Sequence, residues 1–295
     1  MKIALIGANG QLGSDLVKAA KSSEDLKVIP LTHQDIEISD FPQSQELLKR
    51  LNPELLINTA AFHQVDICED EVEASFRVNA KGLRNLSLIC RDMDIPLVHM
   101  STDYVFDGLK GKPYVEDDPP RPINLYGISK LAGEMIIQYL WHKHYIIRVS
   151  GLYGIAGSGG KGGNFIELMI RLAEEGRDIR VVDDQVLTPT YTREAAEKIL
   201  QLIQSGQYGL YHMTNRGECS WYDFAQEIFR LTGLKPNLSP TTSQAFGAKA
   251  KRPKYSVLDN RNLRLLGLED LRDWHQALSD YLQERKSRCQ GNSKS

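Results

Sequence analysis

Short apolar runs alternate along the chain with longer segments whose apolar positions recur every three or four residues, the pattern of strands alternating with helices. Lys2 to Ile6 reads as a buried parallel strand, short, apolar and ended by glycine. Leu26 to Leu31, Glu54 to Asn58, Pro96 to Met100 and Tyr145 to Val149 read likewise. Helical spacing is expected over Asp15 to Ala20, Phe41 to Leu51, Val65 to Asp92 and Tyr126 to Trp141. The longest of these carries Val72, Phe76, Leu83, Leu86 and Ile89 on one face, with Asn79 on or beside it. Its acidic start (Asp66, Glu69, Asp70, Glu71) suits the positive end of a helix dipole. Past residue 155, helices are expected from Asn164-Phe165 to Gly176, Arg193 to Ser205 and Trp221 to Thr232, the last N-capped by Ser220, with strands at Ile179 to Val182 and Tyr208 to Met213. This alternation predicts an α/β fold with a doubly wound parallel (Rossmann) sheet. Residues 1–155 form its first domain, with later segments returning to it; 156–285 are mainly a smaller C-terminal domain, and 286–295 a disordered polar tail.

The first strand runs into Gly7-Ala8-Asn9-Gly10-Gln11-Leu12-Gly13, which opens a helix. Glycine at a strand end permits a tight turn, the middle glycine lets backbone approach a pyrophosphate, and the last lets helix and strand pack closely. The helix N-terminus then faces the anion. The residues Gly7, Asn9, Gly10, Gln11, Leu12 and Gly13 are therefore the expected dinucleotide contacts. The second strand ends Leu31-Thr32-His33-Gln34, without the carboxylate that would hold a ribose 2′-hydroxyl. His33, with Glu37 and Ile38 beyond it, becomes the contact for the adenosine ribose, which favours NADPH over NADH; a plain loop histidine is the alternative. Small residues Ala60 and Ala61 leave room for a flat ligand at another strand end. Tyr126 and Lys130 are one helical turn apart. A lysine ammonium beside a phenol lowers its pKa from about 10 towards usefulness as a proton donor. By itself such a pair is more often surface decoration. Ser101-Thr102-Asp103, delivered by a strand end, is well placed to hold a carbonyl oxygen or simply to close the strand with a hydroxyl turn.

Composition removes other classes. The 295 residues carry a net charge of −2, with nothing to capture nucleic acid or an anionic membrane by electrostatics. Cys68, Cys90, Cys219 and Cys289 are scattered and form no C-x-x-C, which argues against zinc or a disulfide framework and suits the cytoplasm. No apolar run approaches membrane-spanning length. Gly157 to Gly163, with five glycines and Lys161, reads as a mobile loop that closes over substrate or as a plain connector.

The glycine turn, Ser101-Thr102-Asp103 and Tyr126-x-x-x-Lys130 together resemble the extended short-chain dehydrogenase/reductase family. The blocks Ser101 to Gly108, Asn124 to Glu134, Val182 to Thr190, Gly209 to His212, Cys219 to Phe224 and Arg252-Pro253 are similar, in order, to those of the dTDP-4-dehydrorhamnose reductases within it. The resemblance implies reduction by NADPH or NADH of the C4 ketone of a dTDP-6-deoxy-4-keto-sugar, dTDP-4-dehydro-L-rhamnose giving dTDP-L-rhamnose. It implies a monomer or homodimer. By match, Tyr126 is the proton donor and also touches the cofactor, Lys130 lowers its pKa and binds the nicotinamide ribose, and Thr102 bonds the carbonyl. The implied sugar-nucleotide contacts are Thr102, Asp103, Asn164, Gln185 and Arg252, the last a guanidinium suited to a diphosphate. The chain departs from the family at Gly151, where tryptophan is common, and at Ile67-Cys68-Glu69, where Lys-Ala-Glu is usual. The first departure leaves the exact sugar open. Some members hold a magnesium ion through an acidic residue that Asp15 could match, but the chemistry needs no metal and the rest of that site is not traceable. The other readings are a non-catalytic dinucleotide-binding regulatory subunit and a sugar-nucleotide epimerase or dehydratase.

Overall fold

The computed structural model describes residues 1–157 and 163–292, with side chains through 288. The first half alternates strand and helix: β1 (Lys2–Ile6), α1 (Gln11–Ala20), β2 (Lys27–Leu31), α2 (Phe41–Leu51), β3 (Leu55–Asn58), α3 (Val65–Cys68), α4 (Val72–Phe76), α5 (Leu83–Asp92), β4 (Leu97–Thr102), α6 (Leu125–Leu140) and β5 (His144–Val149). The second half adds β6 (Leu152–Tyr153), α7 (Phe165–Glu174), β7 (Ile179–Val182), β8 (Val186–Leu187), β9 (Thr190–Tyr191), α8 (Thr192–Gln204), β10 (Gly209–His212), β11 (Cys219–Ser220), α9 (Trp221–Thr232), β12 (Leu238–Thr241), α10 (Ser243–Phe246), α11 (Arg261–Leu265) and α12 (Trp274–Asn292).

Six strands form one parallel sheet in the order β10-β5-β4-β3-β1-β2. The chain leaves β1 for β2 on one side and returns to β3 on the other, so a switch point lies between β1 and β3. Helices α1 and α8 cover one face, around Leu12, Leu16, Ile199 and Leu202, and α2, α5 and α6 cover the other, around Leu48, Leu86, Ile89 and Ile137. A second apolar core, built on Ile166, Ile170, Phe224, Ile228, Leu278 and Tyr281, joins α7, α9 and α12 over the small β7–β12 pair. The elements α8 and β10 pack with the first core although they lie late in the chain.

Two expected elements differ. The helix expected over residues 65–92 is divided: turns at residues 69–71 separate α3 from α4, and a π-helical stretch, Arg77–Gly82, separates α4 from α5. The acidic residues at its start act through specific bonds. The Glu69 carboxylate accepts the Leu125 N–H at 2.9 Å, and Asp66 accepts the Ala250 N–H at 2.9 Å. The polar tail expected to be disordered from 286 instead continues α12 to Asn292; residues 293–295 lie outside the described residues. Its buried start, Trp274, Ala277, Leu278 and Tyr281, anchors the helix, and Arg285 extends the hold by pairing with Glu167 at 2.8 Å. Of the expected glycine-rich mobile loop, residues 158–162 with Lys161 lie outside the described residues.

The turn between β1 and α1 is sterically exact in one place. A Cβ on Gly13 would stand 2.2 Å from the Gly7 carbonyl oxygen, whereas one on Gly10 would meet that oxygen at 3.3 Å. Gly13→Ala should therefore lower stability by about 1–3 kcal/mol, the usual cost of overpacking, and Gly10→Ala should cost clearly less. Urea denaturation of both variants checks the order.

Candidate active site

The C-terminal ends of β1, β3 and β4 open on a cleft of about 760 Å³. Gly7, with φ +81, starts its floor; a Cβ there would lie 2.6 Å from the Thr59 hydroxyl. Gly10 is the N-cap of α1 and offers no side-chain cap, so the first N–H groups of the helix are left for a ligand. Asn9, Gln11, Leu12 and Gly13 line the same cleft, as do Ala60 and Ala61 across the switch point and His33, Glu37 and Ile38 at the far end. The His33 ring is 86% exposed and stands 3.7 Å from the Glu37 carboxylate. The Ser101 hydroxyl, on β4, is buried in the cleft wall without a protein partner. A glycine cradle at a helix start and a polar atom awaiting a partner fit a dinucleotide.

Tyr126 enters from the first turn of α6, which Asn124 caps by accepting the Gly127 N–H at 2.7 Å. The Tyr126 phenol borders the cleft beside Thr102, whose hydroxyl donates to Asp103 at 3.0 Å and accepts the Tyr104 N–H at 3.2 Å. Asp103 also accepts Ser150 at 2.9 Å and Ser256 at 2.6 Å. Burial pushes its carboxyl up to about 6 in spite of these three hydroxyls. Asn79 donates to the Ser129 hydroxyl at 3.0 Å and to the Phe62 carbonyl at 3.0 Å, and accepts the Phe62 N–H at 2.9 Å, tying α6 to the loop after β3. It is thus both satisfied and supporting.

Lys130, one turn along α6, is 1% exposed. Its Nζ lies 2.6 Å from the Met100 carbonyl and 3.1 Å from His99 Nε2. Burial pushes its pKa down to about 7, against the opposing pull of Glu134. Burial likewise pushes the Tyr126 phenol well above its ordinary value, outweighing the opposing pull of the nearby Thr102 hydroxyl. In the protein by itself, burial thus disfavours the charged form of both groups, the phenolate of Tyr126 and the ammonium of Lys130.

A second, smaller cavity of about 210 Å³ adjoins. Gln185, Leu187 and Ser256 line it, and Thr102, Asp103, Tyr126, Gly151, His63 and Trp221 border both cavities. Gly151 has φ +52, and a Cβ there would stand 2.8 Å from Leu187. Asn164 faces the large cleft rather than the small cavity, and its side chain caps α7 and reaches Tyr281 at 3.1 Å. Arg252 lines neither; its guanidinium pairs with Asp66 at 2.7 Å, an arrangement that sequence spacing could not reveal. Asp15 is occupied by the Thr192 hydroxyl at 2.6 Å and Lys18 at 3.1 Å. Among the described residues no group of three or more His, Cys, Asp or Glu is placed to hold a metal ion. Sequence reasoning missed His63, His99 and Trp221. The placement of His63 just past the β3 end was the one available signal.

A doubly wound parallel sheet, a glycine turn at its switch point and a tyrosine–lysine pair beside a strand-end threonine define an α/β protein of the short-chain dehydrogenase/reductase type. The chain belongs to the family whose model is described as RmlD substrate binding domain, which matches residues 1–287. It is 40% identical over 288 residues to the spore coat polysaccharide biosynthesis protein SpsK of Bacillus subtilis, covering 98% of this chain and 99% of the relative. It is 38% identical over 275 residues to a dTDP-4-keto-6-deoxy-D-glucose reductase of Streptomyces niveus, covering 92% and 93%. The crystal structure of a dTDP-4-dehydrorhamnose reductase from Bacillus anthracis in complex with NADP superposes with a TM-score of 0.92 at 38% identity, covering 96% of this chain and 99% of that one.

The burial of Lys130 has a consequence for stability. In the unfolded chain a lysine keeps its proton to about pH 10.4, whereas the folded protein releases it near 7. Between these values the unfolded state binds more protons, so this residue makes stability rise with pH. Urea denaturation from pH 7 to 10 should find wild type gaining on Lys130→Met as pH rises; parallel curves would contradict the assignment.

Proposed function

We propose that the protein reduces the C4 ketone of a dTDP-6-deoxy-4-keto-sugar with NADPH or NADH, and that its reaction is the conversion of dTDP-4-dehydro-L-rhamnose to dTDP-L-rhamnose. The observation that carries this reading is the meeting of the large cleft and the small cavity at Thr102 and Tyr126. One side of those hydroxyls faces a space suited to a dinucleotide and the other a space suited to a sugar. The NADP in the Bacillus anthracis relative supports the dinucleotide.

When bound, the reduced nicotinamide supplies a hydride. Gly7, Gly10 and Gly13 let the backbone close on the pyrophosphate, with Asn9, Gln11 and Leu12 between them, Ala60 and Ala61 flank the flat ring, and His33, Glu37 and Ile38 meet the adenosine ribose. Lys130 bonds the nicotinamide ribose. Thr102 turns its hydroxyl from Asp103 to the sugar carbonyl, and Tyr126 gives that oxygen its proton. Asp103 and Gln185 hold the sugar side, and Asn164 braces Gly154 at the edge of the large cleft. The second apolar core, mainly within residues 156–285, presents the wall that receives the nucleotide. Arg252, tied to Asp66, acts on the diphosphate only if it exchanges that partner. Gly151 contributes no side chain to the small cavity, so sugar selectivity falls to Gln185, Leu187 and Trp221. The scattered cysteines support a cytoplasmic enzyme, working as a monomer or homodimer.

Turnover of NADPH and NADH with a panel of dTDP-, UDP- and GDP-4-keto-sugars tests the proposal. The expected result is oxidation with the dTDP-sugar alone or best. Dinucleotide binding without turnover on any sugar would make the protein a non-catalytic binder. Tyr126→Phe should lower kcat by about 10²–10⁴-fold, the usual worth of a positioned proton donor, while leaving NADPH affinity intact; near-normal turnover would remove Tyr126 from that role.

A further inference from the structure

His99 on β4 is 1% exposed and lies between Asn58 on β3 and Lys130 on α6. Burial first, and Lys130 second, hold its pKa well below the usual histidine range, so the ring is neutral and carries one N–H. Which nitrogen carries it follows from Asn58. The Asn58 Oδ1 accepts the Ala60 N–H at 3.2 Å and its Nδ2 faces the Ala60 carbonyl at 3.4 Å. Turning the amide over would set donor against donor and acceptor against acceptor. The atom 3.2 Å from His99 Nδ1 is therefore the amide nitrogen, a donor. Nδ1 must accept, and the ring proton sits on Nε2, aimed at Lys130 Nζ 3.1 Å away.

An ammonium has donors only and would meet that N–H head-on. A neutral amine accepts it, and still donates to the Met100 carbonyl at 2.6 Å. The other charged or titratable groups around Lys130 do not alter this. Tyr126, on the same helix, is held in its neutral phenol form by burial. Glu134, also on α6, is bound at 2.9 and 2.6 Å by Arg148 of β5, whose far side faces His212 of β10. Asp103 lies beyond Thr102 and is engaged by three hydroxyls.

We infer that the Asn58–His99 pair holds Lys130 as a neutral amine in the protein without cofactor, and that Lys130 takes a proton from water when a dinucleotide enters the cleft. This rests on the dinucleotide reading of that cleft: ribose hydroxyl oxygens turn the ammonium away from the His99 N–H and give it the acceptors that His99 cannot, and the diphosphate favours a cation nearby. His99 and Asn58 are positioning residues, acting through Lys130. Tyr126 then gains its cationic neighbour only in the loaded site, which limits idle proton exchange.

Two measurements test this. In the free protein, NMR of ¹⁵N-histidine and ¹³C-lysine labelled material, assigned with Lys130→Met, should find His99 protonated on Nε2 and Lys130 titrating near pH 7. A His99 protonated on Nδ1, or a Lys130 titrating with the exposed lysines, overturns the inference whether or not any cofactor binds. Calorimetric titration with NADPH at pH 8, in two buffers of different ionisation enthalpy, should find uptake of close to one proton in wild type and none in Lys130→Met. Asn58→Asp, nearly isosteric, accepts from Nδ1 and moves the ring proton; it should charge Lys130 in the free protein and abolish the uptake. NADPH binding by wild type without proton uptake overturns the inference. Failure of NADPH to bind at all would instead overturn the dinucleotide reading, and the NMR result would decide the state of Lys130 by itself.

Discussion

Burying one amine constrains the catalytic edge of this protein more than any other interaction. Lys130 is almost wholly buried, so its surroundings must supply hydrogen-bond partners without leaving an uncompensated charge. The Met100 carbonyl and His99 do so from β4, and Asn58 fixes His99 from β3. Each of these partners sits where it does because the sheet is parallel and in register, with Asn58 paired to His99 across β3 and β4. The helix that carries Lys130 must in turn come close: Gly133 packs where a Cβ would stand 2.3 Å from the Asn79 carbonyl, and Asn79 binds the next turn of α6 through Ser129. The π-helical stretch that holds Asn79 is part of that fit.

The same edge joins two spaces. Parallel strands end together, so the glycine turn after β1, the small residues after β3 and the hydroxyls after β4 face one cleft. The second core brings Gln185 and Trp221 against the other side of Thr102 and Tyr126. A carbonyl reductase needs its hydride source against the carbonyl carbon and its proton donor against the carbonyl oxygen, and two spaces that meet at Thr102 and Tyr126 leave room for both.

Much of this was legible in the sequence. The strands β1, β3, β4 and β5 stand out because parallel strands buried on both faces are short apolar runs, and helix α9 because Ser220 and Asp223 form a capping box before it. The glycine turn and Tyr126-x-x-x-Lys130 carry spacing that local geometry demands. What spacing cannot carry is pairing across the fold. Asp66 and Glu69 looked like a favourable helix start, but Asp66 binds Ala250 and Arg252 from the far end of the chain and Glu69 anchors the start of α6. Arg252 looked like a free cation for the same reason. The spacing of Tyr126 and Lys130 placed them one turn apart but carried no sign of the burial that acts on both, because burial is not visible in spacing. His99 was silent, a single residue inside an apolar strand.

Transfer of deuterium from NADPH deuterated at nicotinamide C4 tests the account most directly, since it asks whether the two spaces meet at one carbonyl carbon. With dTDP-4-dehydro-L-rhamnose, the account predicts deuterium at C4 of the product sugar, from one face of the nicotinamide and in one configuration. Product sugar without deuterium at C4, or deuterium at C4 in both configurations, would contradict it.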